Sequence, residues 1–268
     1  MTIADCTNAI EANPGDDKLY KQRGYVFYCK GNYDRAIADY SRAIALKPEE
    51  AEYYFDRGGV FSRKGDCDSA IADYNQAMEL NYPYLDSLGH ALGDAYLGKG
   101  DCDSAIAAYT QAIMISPGFL SYCNRGNAYG RKGDYDSAIA DYSRAIEKYA
   151  GYMDRMRYDA DDCSGSLNAY LYRNRGNACF HKGDLDSAIA DYTQTIKLTP
   201  ADAKAYKARG EAYHSKGDVD RAIADYTQTI KLNPADAKAY KARGEAYRSK
   251  GDVDSANADF SHANNQAR

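Results

Sequence analysis

Apolar and polar residues follow a helical period along this chain, and the pattern restarts at near-constant intervals. One stripe reads Ala-Ile-x-x-Tyr-x-x-x-Ile, as at Ala36, Ile37, Tyr40 and Ile44. Spacings of three and four residues put such side chains on one face of a helix. A second stripe reads Tyr-x-x-Arg-Gly-x-x-aromatic, as at Tyr54, Arg57, Gly58 and Phe61. A Gly-Asp pair joins the two. Its glycine suits the left-handed conformation just past a helix end. Its aspartate, such as Asp66, Asp134 or Asp184, stands at the N-cap of the next helix. The Asp two residues later falls in the first turn, where it favours the helix dipole. Pro48, Pro117, Pro200 and Pro234 close units.

The joining phrase recurs from Gly31, Gly65, Gly100, Gly133, Gly183, Gly217 and Gly251, at intervals of 34, 35, 33, 50, 34 and 34 residues. A fixed period in this range signifies a solenoid of helix pairs. Seven residues before each of these glycines lies another: Gly24, Gly58, Gly93, Gly126, Gly176, Gly210 and Gly244.

The pattern resembles the tetratricopeptide repeat. Tyr20, Tyr54, Tyr122, Tyr172, Tyr206 and Tyr240 take the place usually held by Trp, and the glycines Gly24 to Gly244 match its small-residue contact. So do Ala36, Ala70, Ala105, Ala138, Ala188, Ala222 and Ala256. The resemblance implies an all-α fold, an α-solenoid of stacked helix-turn-helix repeats in a right-handed superhelix. The expected division is a half repeat (second helix only) at 1–16 and repeats at 17–50, 51–85, 86–118 and 119–152. An insert at 153–168 precedes repeats at 169–202, 203–236 and 237–268. The insert is expected to lengthen the preceding helix and then turn, with Ser164 or Ser166 as a cap. Bending of the solenoid or docking of a partner are its other possible roles. The half repeat either covers the edge of the first full unit or marks a fragment of a longer array. In the last repeat Asn257, Asn264 and Gln266 replace Ile223, Ile230 and Leu232 of the one before, which suits a solvated final face.

One departure from the family is systematic. The Leu usual before the glycine is Arg at Arg23, Arg57, Arg125, Arg175, Arg209 and Arg243, but Leu92 in the third repeat. The second helices carry Asp39, Asp73, Asp141, Asp191, Asp225 and Asp259 before the Tyr, but Ala108 in that same repeat. Joint loss predicts an Arg–Asp pair inside each unit; independent drift of two positions is the alternative.

Composition narrows the function. The 268 residues are 44% hydrophobic and 27% charged, so the chain can build a core. A net charge of −5 argues against nucleic acid as a partner. No run approaches the ~18 apolar residues of a membrane span. The seven cysteines are odd in number and form no C-x-x-C pair, so neither zinc nor a disulfide framework is expected and a cytoplasmic location is. Cys67 and Cys102 are expected as small core residues, and the Tyr stripe as core. His90, His181, His214 and His262 share no ligand spacing, and no nucleotide loop or nucleophile elbow appears. No enzyme activity, metal or cofactor is expected; only a pocket closed by the insert over His181 or Cys163 would change that.

The resemblance places ligand contacts on the first helices. The front half then offers a mixed surface: Lys18, Lys21, Tyr25, Tyr28, Glu52, Phe55, Ser62, His90 and Asp94. The back half is basic and amide-rich, and its candidate peptide-binding residues are Asn124, Asn127, Arg173, Asn174, Asn177, Lys204, Lys207, Lys238 and Lys241. Paired amides at i and i+3 suit an extended peptide backbone. A solvated face with Lys207–Glu211 and Lys241–Glu245 pairs is the plainer reading. The family's clamp for a terminal carboxylate is matched at Asn127, Asn174 and Lys204 but lost at Cys123 and Ala208. The leading expectation is a non-enzymatic scaffold binding a peptide segment of a partner protein, its back half favouring acidic ligands. The alternative is a self-associating assembly module.

Overall fold

Adjacent Gly and Asp stop one helix and start the next throughout the chain. In the computed structural model Gly65, Gly100, Gly133, Gly183, Gly217 and Gly251 have φ between 85° and 89°, and Gly31 has 73°. The side chains of Asp66, Asp101, Asp184 and Asp218 then accept from the backbone N–H three residues on, as N-caps do. Asn32 does the same in the first repeat. Where that third residue is Ser, its hydroxyl adds a bond, as from Ser69 to Asp66 at 2.8 Å and from Ser104 to Asp101 at 2.7 Å.

The structure describes residues 2–156 and 164–266, and these are helical with short connections. The second-type helices are α1 (Ile3–Ala12), α3 (Tyr33–Leu46), α5 (Cys67–Glu79), α7 (Cys102–Ile115), α9 (Tyr135–Met156), α11 (Leu185–Leu198), α13 (Val219–Leu232) and α15 (Val253–Gln266). The first-type helices are α2 (Asp17–Cys29), α4 (Ala51–Lys64), α6 (Leu85–Lys99), α8 (Phe119–Lys132), α10 (Ser164–Lys182), α12 (Ala203–Ser215) and α14 (Ala237–Lys250). The chain forms two compact units, Met1–Ala128 and Tyr129–Arg268. In the first, the hairpins α2/α3, α4/α5 and α6/α7 pack in chain order, each on the helix before it. In the second, α9 packs on α10, and the hairpins α10/α11, α12/α13 and α14/α15 follow in the same way. The fold is an α-solenoid of stacked helix pairs.

The core is made where the two helices of a hairpin touch. Ala70, Ala105, Ala188 and Ala222 are fully buried, and so, nearly, are Tyr40, Tyr109, Tyr192 and Tyr226. The tyrosine ring lies on the glycine of the partner helix. A Cβ built on Gly93 would stand 2.6 Å from two ring atoms of Tyr109, so no other residue fits there without movement.

The inferred pairing of Arg with Asp is present. Arg23 Nε and Nη2 donate to the two oxygens of Asp39 at 2.8 Å each. The same two-pronged geometry joins Arg57 to Asp73, Arg175 to Asp191, Arg209 to Asp225 and Arg243 to Asp259, at 2.7–2.8 Å. These aspartates are buried, and their hydrogen bonds raise the pKa of Arg23, Arg175, Arg209 and Arg243. A contact that the sequence reading lacked completes the clamp. The remaining nitrogen, Nη1, donates to a hydroxyl of the preceding repeat: Thr7 for Arg23, Ser41 for Arg57, Thr110 for Arg125, Ser143 for Arg175, Thr193 for Arg209 and Thr227 for Arg243. Each arginine also lies over a tyrosine three residues earlier, such as Arg209 over Tyr206 at 5.7 Å. In the third repeat Leu92 and Ala108 are buried in one apolar cluster instead. The hydroxyl position that would face Leu92 is Asn75, which is exposed.

A second inter-repeat link runs along the surface. The lysine at or just past the end of a first helix reaches the first-turn aspartate of the preceding repeat: Lys64 to Asp34 and Lys99 to Asp68 at 2.7 Å, Lys182 to Asp136 at 2.5 Å, Lys250 to Asp220 at 2.6 Å, and Lys216 to Asp186. These pairs are solvent-exposed, so screening leaves each a small contribution.

Part of the 153–168 insert lies outside the described residues. Residues 153–156 continue α9, and 164–168 open α10. Ser166 therefore lies within the first turn of α10 and does not cap it. Cys67 and Cys102 are half-buried at helix starts, not core; among the described residues the buried thiols are Cys6, Cys123 and Cys179. Asn257, Asn264 and Gln266 are exposed.

The caps give the fold an acid dependence. Hydrogen bonds from Ser69, Ser104, Ser137, Ser187 and Ser255 hold Asp66, Asp101, Asp134, Asp184 and Asp252 below the ordinary carboxylate value of 3.8. A depressed folded-state pKa contributes stability that is complete above 3.8 and lost as the pH falls through the folded value. Thermal melts are expected to shift downward between pH 4 and pH 2; a Tm flat over that window would contradict it.

Candidate peptide-binding faces

The first-type helices present two faces, one in each compact unit. In the second unit α10, α12 and α14 lie side by side in chain order. The N-cap of each following helix ties them together. Asp202 caps α12 by accepting from Lys204 N and Ala205 N, and its carboxylate also takes Arg173 of α10. Asp236 caps α14 by accepting from Ala239 N, and its carboxylate takes Lys207 of α12 at 2.8 Å. Two of the expected ligand cations, Arg173 and Lys207, thus hold neighbouring repeats in register. Lys207 makes this bond in place of an i, i+4 pair with Glu211.

Lys204, Lys238 and Lys241 are different. All three are exposed, and none forms an ion pair among the described residues. The expected Lys241–Glu245 pair is therefore not formed. They leave α12 and α14 with three exposed ammonium groups, on helices that also carry Glu211 and Glu245.

The amide positions are half-buried. Asn177 Oδ1 accepts from the hydroxyl of Tyr192 at 2.9 Å, so the buried ring of the second helix ends on one of the candidate ligand positions of the first. The same position in the third repeat, Asp94, accepts from Tyr109. Asn174 lies on α10 with Asn177; Asn124 and Asn127 lie on α8 in the first unit. Cys123, at the place where a carboxylate clamp needs Lys, is buried, and burial pushes its thiol up to about 12. Ala208, at the place where it needs Arg, is half-buried beside Cys179 and Tyr192.

The front face is built on α2 and α4. Lys21 of α2 reaches Glu52 of α4 at 2.6 Å, the counterpart of the struts in the second unit. Tyr53 donates to Asp17, the first residue of α2. Around these pairs lies an open depression of about 840 Å³ lined by Lys18, Gln22, Tyr25, Val26, Glu50 and Asp56, among others. Phe55 and Tyr28 face inward: Phe55 stacks on Tyr82 at 4.4 Å, and Tyr28 leans on Tyr33. His90 meets the Ser121 hydroxyl at 2.9 Å, and His181 stacks on Tyr135 at 5.4 Å. Both rings are packed side chains. Cys163 lies outside the described residues.

Stacked helical hairpins that repeat along the chain define a repeat scaffold, a class that works through surface contact. The chain belongs to the tetratricopeptide repeat family, whose patterns match residues 24–65, 51–83, 90–119, 120–151, 176–217 and 210–251. Comparison with curated protein sequences finds no match. Among solved structures, MamA is 29% identical, covers 66% of this chain and 94% of its own, and superposes with a TM-score of 0.56. A tetratricopeptide repeat protein from Parabacteroides merdae shares the fold at 18% identity, with 94% and 93% coverage and a TM-score of 0.67. So does the C-terminal part of a TPR repeat-containing protein from Cytophaga hutchinsonii, at 18% identity, 89% and 93% coverage and a TM-score of 0.69. Among the described residues no helix is long and apolar enough to cross a membrane.

Proposed function

We propose that this chain is a non-enzymatic, cytoplasmic scaffold that binds an extended segment of a partner protein, and that its second unit selects acidic segments. The observation that carries the reading is the division of labour among its cations. Arg173 and Lys207 are neutralised by Asp202 and Asp236, whereas Lys204, Lys238 and Lys241 stay exposed without an ion pair among the described residues. Fixed helices then present three ammonium groups whose charge acts on an incoming ligand. Asn174 and Asn177 supply amides on the neighbouring helix for the backbone of that segment.

The test uses a fluorescein-labelled decamer of glutamate in fluorescence anisotropy. Substituting Lys204, Lys238 and Lys241 together by Glu is expected to weaken binding at least tenfold. Substituting Lys148, Lys197 and Lys231 together by Glu, an equal charge change at exposed positions of the second helices α9, α11 and α13, is expected to leave affinity within twofold. Equal losses in both would reduce the effect to net charge and defeat the assignment. Lys207 is left intact, because its loss would disturb the α12–α14 register as well.

A further inference from the structure

The depression between α2 and α4 in the first unit contains a carboxylate without a partner of its own. The Asp56 side chain is only 27% exposed, and no donor lies within hydrogen-bond reach of it among the described residues. Its nearest cation is Lys21 at 3.9 Å, and that ammonium is already held by Glu52 at 2.6 Å. The other carboxylates nearby are engaged: Glu50 takes Lys47 at 2.8 Å, and Asp17 takes the Tyr53 hydroxyl. Asp56 contrasts with the buried Asp39 and Asp73 in its own neighbourhood, each of which receives two arginine nitrogens. A half-desolvated carboxylate left unmatched is costly to the fold, and a donor brought by a ligand removes that cost. Tyr25, 60% exposed on the same lining, supplies an aromatic face beside it. Aromatic faces attract cations and cover aliphatic stems.

We propose that this depression receives the arginine or lysine side chain of an extended peptide, with Asp56 taking the cationic head and Tyr25 packing along the stem. The site rests on the reading of the first-helix faces as peptide-binding. Its preference is opposite in sign to that of the lysine face on α12 and α14. The chain would therefore carry one acceptor for cations and another for anions on separate compact units.

The site is pH-dependent in a defined direction. Burial raises Asp56 to about 6, with Lys21 opposing the shift and Glu52 adding to it. The other groups facing it are Lys18 and Tyr25 of α2, Glu50 and Tyr53 at the start of α4, Tyr40 of α3, and Tyr82 after α5. The tyrosines stay neutral in the working range: burial raises Tyr40, Tyr53 and Tyr82. Acidification through about 6 thus neutralises Asp56 and releases a cation.

The test titrates the full chain with N-acetyl-arginine methylamide, a probe with one guanidinium and no other charge, and follows the Tyr25 and Val26 amides by NMR. At pH 7.5 the shifts are expected to saturate, and N-acetyl-glutamate methylamide is expected to produce none. Asp56→Asn should weaken binding at least tenfold while melting at or above the wild-type temperature. Glu49→Gln, which removes the same charge from an exposed neighbouring position, should change affinity less than twofold. Lowering the pH to 5 should weaken wild-type binding about tenfold. The proposal is overturned by unchanged binding in Asp56→Asn, by an equal loss in Glu49→Gln, or by pH-independent affinity. A lower melting temperature for Asp56→Asn also overturns it, since Asp56 would then be holding the fold. These outcomes are read without the glutamate decamer, so either face can fail while the other stands.

Discussion

Replacing Arg209 by Leu is expected to destabilise the protein by about 3–5 kcal/mol at neutral pH, whereas replacing Arg209 by Leu and Asp225 by Ala together is expected to restore most of the loss. The single change strands the Asp225 carboxylate, which is 6% exposed and receives both of its close donors from Arg209. A buried charge without its partner costs far more than the intact pair contributes, because desolvation is no longer offset. The double change copies an arrangement the chain already contains, since Leu92 and Ala108 occupy these two places in the third repeat as part of an apolar cluster. Urea denaturation at pH 7 measures both variants. A double variant as unstable as the single one would show that the pair cannot be exchanged for apolar contact in the sixth repeat.

The second large effect is steric. Gly93→Ala is expected to cost about 1–3 kcal/mol, even though Ala is the better helix former. The new methyl group would stand 2.6 Å from Cδ1 and Cζ of Tyr109, a ring fully buried between the two helices of its hairpin. Either the ring leaves its rotamer or the helices separate. Gly59→Ala is the matched control: its nearest atom would be the Tyr74 hydroxyl at 3.9 Å, so the methyl fits. That variant is expected to gain about 0.4–1 kcal/mol from reduced freedom of the unfolded chain. Thermal melts of the pair decide the matter; a Gly93→Ala protein as stable as its parent would mean that the hairpin contact is loose.

Much of the fold is legible in one sequence because seven repeats act as their own alignment. The glycines at helix ends, the Asp caps, the buried tyrosines and the Arg–Asp pairs each recur, and the joint change at Leu92 and Ala108 reveals the pair. The third bond of the clamp is harder to read. Ser41, Thr110 and Thr193 follow a buried tyrosine on a helix surface, where a small hydroxyl looks like any solvated position. Asn75 varies with Leu92 and Ala108, but its partner lies in the next repeat, outside the unit in which pairing is sought. The candidate site is less legible for a related reason. Asp202 and Asp236 read locally as caps, and nothing in a cap signals that its second oxygen takes a cation 29 residues earlier. Charge pattern alone therefore places Arg173 and Lys207 with Lys204 and Lys238, although the first two are structural. Asp56 is equally silent in sequence. The repeats predict that its neighbour Arg57 pairs with Asp73, but only the packing shows that Lys21, the nearest cation to Asp56 at 3.9 Å, is itself held by Glu52.

The clamp has an evolutionary consequence. Arg23, Arg57, Arg175, Arg209 and Arg243 each find a two-pronged partner inside their own period and a hydroxyl partner one period back. Lys64, Lys99, Lys182, Lys216 and Lys250 likewise find an aspartate one period back. Copying a whole period therefore copies a donor and an acceptor for every junction, and the new junction closes with the bonds of the old. The segment ADAKAYKARGEAY, present at both 201–213 and 235–247, has the form such copying would produce. A chain wired this way changes length by whole periods at little energetic risk, whereas inserting part of a period breaks the match of donor to acceptor.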